Sequence, residues 1–162
     1  MAEIDTIIED DRWAETGLEE LAIRAGRAVL DHLGLDAEIV VMGCDDARIA
    51  ALNADFRGKP RPTNVLSWPS VEHAPRIAGA VPVPPDTDEL GDIAIAFETC
   101  AAEARAQGKP FADHVTHLIV HAALHLAGYD HDDEADAETM EETERVILAS
   151  LGISDPYQEV TT

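Results

Sequence analysis

Residues 121–131 read HAALHLAGYDH, which sets histidines at 121, 125 and 131 and a glycine at 128. Residues four apart on an α-helix lie one turn apart on the same face, so His121 and His125 can aim two imidazoles at one point. Gly128 can take the left-handed backbone conformation that ends a helix, and the reversal it allows would return His131 to that point. Three neutral imidazoles without a fourth protein ligand leave one coordination position open, as in catalytic rather than structural zinc sites. The competing reading, helix-face histidines paired with carbonyls and carboxylates, gives the glycine no purpose.

The elements that must position these residues can be read from periodicity. Ile4, Thr6 and Ile8 alternate with charged residues, which predicts a half-buried strand over 3–9. Leu18, Leu21, Ala22, Ala25, Val29 and Leu33 recur at helical spacing up to Gly34, a helix stop. AEIVVMG at 37–43 reads as a strand, and Asp45 or Asp46 can cap a helix running through Ile49 and Leu52 toward Phe56. VLSWP at 65–69 has the character of a short strand that Pro69 confines to an edge or an end. Residues 70–90, with Pro75, Pro82, Pro84 and Pro85, read as a loop. DIAIAF at 92–97 is the apolar run of a buried strand, and a helix should follow through Cys100 and Ala104 to Gly108. Pro110 suits the first turn of a central helix that buries Val115, Leu118, Ile119, Ala122 and Leu126 and carries His114, His117, His121 and His125. A last helix starts near Asp132 or Asp133 and ends at Gly152, leaving SDPYQEVTT at 154–162 as a frayed tail. The expected fold is a single α+β domain over 1–162, with a roughly four-stranded mixed sheet, about five helices, and the histidines on the central one.

At 162 residues the chain holds one domain with a real core and is too short for two of ordinary size. The start, MAEIDTIIEDD, is acidic and lacks the basic and apolar stretches of a secretory signal, and no apolar run approaches the roughly 20 residues that span a bilayer. A cytoplasmic protein without a membrane partner is expected. Cys44 and Cys100 fit neither a CxxC nor a zinc-ribbon pattern, so reduced packing thiols are expected. The formal charge of −22 opposes a broad polyanion-binding surface. Residues 57–76 are the exception, with 4 basic and 1 acidic side chains, including Arg57, Lys59 and Arg61. On charge alone, that window reads equally well as a phosphate contact or as a solvated loop.

The histidine and glycine offsets match the HExxHxxGxxH pattern of metzincin peptidases, in which the glutamate is general base to the zinc-bound water. Here that position is Ala122, which has no proton acceptor; peptide hydrolysis by that route would lose a contribution of roughly 100- to 10,000-fold. The chain instead resembles the YbeY family of bacterial rRNA maturation factors, whose signature runs HGxLHLxGYDH, with Ala122 where the family has glycine. LNADFRGKPRPTNVLSW at 52–68 is similar to the family's LNxxFRxxxxPTDVLSF. GDIAI at 91–95 and MEETERVILASLG at 140–152 extend the likeness through most of the chain in family order.

The resemblance implies a zinc-dependent endoribonuclease with one Zn2+ ion, acting in rRNA maturation at the 3′ end of small-subunit rRNA and in ribosome quality control. Its partners would be ribosomal RNA and the ribosome or ribosomal proteins. Carried over by motif position, His121, His125 and His131 would be the metal ligands, and Arg57 the catalytic arginine facing the RNA phosphate. His117, one turn before His121, reads better as a satisfied core histidine than as support for a ligand. Asp130 can orient an imidazole or serve as a solvated turn residue. Asn64 and Trp68 stand where the family usually has Asp and Phe. Two other readings are a metallopeptidase, which Ala122 opposes, and a non-enzymatic ribosome-assembly factor whose metal stabilises the fold and whose acidic surface binds a protein partner.

Overall fold

In the computed structural model, which describes residues 3–70, 79–84, 87–131 and 133–157, the elements run β1 (Glu3–Ile8), α1 (Arg12–Glu15), α2 (Leu18–Leu33), β2 (Glu38–Cys44), α3 (Asp46–Arg57), β3 (Val65–Pro69), β4 (Glu89–Ala96), α4 (Phe97–Gln107), α5 (Phe111–Leu126) and α6 (Glu134–Ser150). The four strands form one mixed sheet in the order β1-β2-β4-β3. β1, β2 and β4 are parallel, and β3 pairs antiparallel with β4 at the edge. This is the single-domain α+β architecture expected from the sequence.

Alternation along the strands divides the side chains between two layers. Ile39, Val41, Ile93 and Ile95 join Leu30 of α2 and Ile119 and Leu124 of α5 in the main core. Full burial of each such aliphatic side chain contributes roughly 1.5–3 kcal/mol, so this face carries most of the packing energy. The other face holds a smaller cluster of Cys44, Ile49, Leu66, Ala94 and Ala96 under α3. α5 therefore lies against the sheet, its histidine-bearing edge next to β3.

The caps left open by sequence fall on Asp45 and Asp133. Asp45 accepts from the Arg48 N–H at 2.7 Å, and Asp133 accepts from the Ala135 N–H at 2.8 Å; Asp132 lies outside the described residues. Asp46 instead accepts from the Thr99 N–H at 3.0 Å and its hydroxyl at 2.8 Å, tying α3 to α4.

Three features differ from the sequence expectations. Among the described residues there are six helices where about five were expected, because α1 is a four-residue turn too short to show periodicity. Asp10 accepts the Arg12 N–H there at 3.0 Å, and the fully buried Trp13 donates from its indole to the Cys44 carbonyl at 2.9 Å. Second, β4 starts at Glu89, ahead of the expected 92, and Gly91 explains why. Its φ is 149°, and a Cβ there would lie 2.3 Å from the Trp68 carbonyl, so the close approach of β3 requires the residue that interrupts the apolar run. Third, of the tail expected to fray from 154, residues 158–162 lie outside the described residues, but Asp155 pairs with Arg145 at 3.1 Å and Tyr157 packs against the central helix. Within the expected 70–90 loop, 71–78 and 85–86 also lie outside the described residues. Both cysteines are buried free thiols, and burial above all pushes Cys44 up to about 12. No helix among the described residues is long and apolar enough to cross a membrane.

Candidate active site

α5 ends at Leu126, after which the chain reverses. The Gly128 N–H bonds the His125 carbonyl at 3.1 Å and the Tyr129 N–H bonds the Leu124 carbonyl at 3.0 Å, while Gly128 itself takes a φ of 111°. Glycine pays no side-chain clash in that region, so the sequence can turn here. Burial of Tyr129 pins the turn, and the His131 ring comes to lie 5.1 Å from the His121 ring at an interplanar angle of 23°. His121, His125 and His131 line one cleft of about 420 Å³ together with Arg57. Asn64, Val65, Leu66 and Ser67 of the β3 edge line it as well.

The first two imidazoles are oriented from behind. His125 meets the Tyr129 carbonyl through Nδ1 at 3.1 Å, and a carbonyl only accepts, so Nδ1 carries the proton and Nε2 the lone pair. His121 Nδ1 lies 2.6 Å from Glu144 Oε1 with the same consequence. Glu144, on α6, has no exposed surface. Its other oxygen accepts from the Tyr157 hydroxyl, which in turn takes a hydrogen bond from His117 Nε2 at 3.2 Å. Burial alone would raise the Glu144 pKa, but His117 at 3.7 Å, the hydrogen bond with His121 and the Tyr157 hydroxyl outweigh it and hold the carboxyl down to about 2. Tyr157 moves the opposite way, pushed up by burial and by its bond to the Glu144 carboxylate. The result is a buried anion whose hydrogen-bonding capacity is spent on His121 of the central helix and on Tyr157.

Glu144 and Tyr157 were missed in the sequence. The signal for Glu144 was present: it lies four residues after Met140 and three before Ile147, on the buried stripe of its own helix. Tyr157 had no such signal in a short polar tail. His117, read as a satisfied core histidine, lines the cleft and belongs to the network that holds His121. Asp130 also lines the cleft, and its Oδ1 accepts the His131 N–H at 2.7 Å, a turn-stabilising bond.

Arg57 is the last residue of α3, exposed, and followed by Gly58 in the left-handed region at φ 68°. The buried Asn53 holds the basic loop against α3 by donating to the Arg61 carbonyl at 3.0 Å. Arg57 lines the cleft, while Lys59 and Arg61 are exposed on the loop beyond it; residues 71–76 of the basic window lie outside the described residues. The departures from the family pattern also find reasons. Asn64 donates from its amide to Glu103 at 3.1 Å, and Glu103 pairs with the buried His114 at 3.0 Å; an aspartate would set two carboxylates face to face. Ala122 is buried with its methyl at the cleft wall.

An α+β domain whose central helix and following turn gather three histidines beside an edge strand and an arginine has the constitution of a metal-dependent hydrolase. The profile of the family described as Endoribonuclease YbeY matches residues 3–152. The chain is 67% identical to the Endoribonuclease YbeY of Paracoccus denitrificans, over 98% of this chain and 92% of that protein. It is 58% identical to that of Cereibacter sphaeroides over 95% of this chain and 98% of the relative. The protein of the same name from Ruegeria pomeroyi is 57% identical over 95% of this chain and 97% of its own length. This chain belongs to the YbeY family of endoribonucleases. Neither the peptidase nor the scaffold alternative is supported by these relatives. The fold is that of the solution structure of TM1509 from Thermotoga maritima, with a TM-score of 0.55 and 23% identity over 98% of this chain and 100% of that one.

Proposed function

We propose that this chain is a zinc-dependent endoribonuclease of rRNA maturation, working in the cytoplasm on ribosome-associated precursor at the 3′ end of small-subunit rRNA, and contributing to ribosome quality control. The observation that carries this reading is the meeting of His121, His125, His131 and Arg57 in one cleft. The donor set suits zinc: bonds at Nδ1 of His121 and His125 assign their lone pairs to Nε2, the borderline nitrogen donor that Zn2+ prefers. His131 would be the third ligand. Zinc held there would supply Lewis acidity toward water and toward a phosphoryl oxygen.

The other roles fall to the chain itself. Arg57 presents paired N–H donors that would neutralise charge growing on the phosphoryl oxygens during in-line attack. Glu144 and Tyr157 keep His121 oriented and leave no carboxylate of their own in the cleft. The basic stretch of Arg57, Lys59 and Arg61 is short, so the protein grips RNA locally, and a ribosomal particle would supply the rest of the binding. His125→Ala should lose zinc and rRNA cleavage together. Arg57→Glu should keep zinc and fold but lose cleavage of precursor rRNA. Full metal occupancy in the first variant, or unchanged processing by the second, would contradict the proposal.

A further inference from the structure

The cleft is poor in positive charge, so attraction to phosphate is a weak hold on an RNA strand there. Arg57 is the one Lys or Arg among the described residues lining it, Lys59 and Arg61 stand on the loop beyond, and the whole chain carries −22. Proteins that take single strands supplement phosphate contacts by stacking unpaired bases on aromatic side chains, an attraction that does not depend on charge. Among the described residues lining the cleft, Tyr157 is the one aromatic ring besides the imidazoles.

Tyr157 lies in the tail after α6, yet its ring is held in place. Asp155 accepts from Arg145 Nε at 3.1 Å and from the Tyr157 N–H at 2.8 Å, and Lys109 donates to the Pro156 carbonyl at 3.2 Å. The far end of the side chain is anchored by Glu144 and by His117 Nε2 at 3.2 Å. The bond from Nε2 sets His117 at the hydroxyl end of the phenol with the two ring planes 88° apart, so the imidazole does not lie flat on it. Arg145 lies over the ring with its guanidinium carbon 5.6 Å from the centroid, and 38% of the residue stays exposed. The bonds to Glu144 and His117 use the hydroxyl and leave the open part of the ring unemployed. A ring fixed at both ends loses little freedom when a flat partner settles on it.

We propose that Tyr157 is a base-stacking residue of the RNA site: the nucleotide next to the phosphate held by Arg57 lays its base on the open part of the phenol ring. The inference rests on the reading of this cleft as an RNA site and not on which metal it holds. Stacking strength grows with the base, so a purine is held better than a pyrimidine at that position.

The test uses the full zinc-reloaded chain and single-stranded RNA hexamers carrying 2-aminopurine at each position in turn, a base whose emission is quenched on stacking. Fluorescence is read on mixing, and one position should be quenched saturably. An abasic residue at that position should weaken binding about tenfold, and Tyr157→Leu should weaken binding of the intact hexamer by about the same factor. The two losses should not add, because each removes one half of a single contact. Tyr157→Phe should keep the quench. It gives up the hydroxyl as the Leu variant does, so any effect passed through Glu144 appears in both and the ring alone separates them. Arg57→Glu should flatten the fall of affinity with salt, whereas Tyr157→Leu should leave that slope unchanged. Equal losses in the Phe and Leu variants, or additive losses from Tyr157→Leu and the abasic residue, would show that the tyrosine acts only through Glu144 and overturn the proposal. If Arg57→Glu weakens binding and Tyr157→Leu does not, the stacking role fails while the RNA reading of the cleft stands; if neither does, both fail.

Discussion

A carboxylate with no exposed surface survives in α6 because its partners outweigh the cost of burying it. Removing an ion from water costs several kcal/mol even after relaxation, as a general order of magnitude, and hydrogen bonds must offset that cost. Glu144 receives them from His121 and Tyr157, with His117 close by. The bond to His121 has a functional reading as well, since an oriented imidazole loses less freedom when it takes a metal. Glu144→Gln should therefore weaken zinc binding about 10- to 100-fold, measured by competition against a chelator of known affinity. Unchanged affinity in a folded variant would mean that the carboxylate only fills space. Its sign also sets a pH dependence. The folded carboxyl titrates near 2, below its ordinary value of 4.5, so the stability it contributes is complete above that ordinary value and is lost as pH falls toward 2.

The edge strand and the turn after α5 are the elements that make a cleft of these residues. β3 must lie close on β4 for Val65 and Ser67 to wall the site, and Gly91 is where the two backbones come nearest. Gly91→Ala would meet the Trp68 carbonyl and hold a left-handed φ that alanine resists. We expect a loss of about 2–4 kcal/mol in denaturant unfolding, with Trp68 emission shifted in what remains folded. A change within about 0.5 kcal/mol would show that β3 can move away freely. Elements were readable from sequence where the period was long and regular, as in α2 and α5. They were not where a contact made the element: α1 depends on Asp10 and on a tryptophan that reaches β2, and the first residues of β4 depend on pairing with β3.

Across the whole molecule, charge and chemistry are kept apart. The chain carries a formal charge of −22, yet its short basic stretch ends α3 at the cleft, and acid gathers on β1 and β2 at Glu3, Asp5 and Glu38. The histidines and Arg57 could be picked out from sequence because ligand spacing along a helix and a cluster of like charges are local patterns. Glu144 and Tyr157 could not be paired with them, because they meet His121 and His117 only after α6 packs on α5. The substitution of Asn64 for aspartate became intelligible only with Glu103 beside it. The fold and the meeting of three histidines with Arg57 in one cleft were thus within reach of pattern reading; the network that orients His121 was not.

One cleft that holds metal through three histidines and phosphate through Arg57 should cut ribosomal RNA. Ribosome-bound precursor rRNA should be incubated with native, chelated and zinc-reloaded protein, and the new ends mapped. Ends should appear at the 3′ region of small-subunit rRNA, vanish on chelation and return with zinc. The same ends made at the same rate by the chelated protein would contradict it.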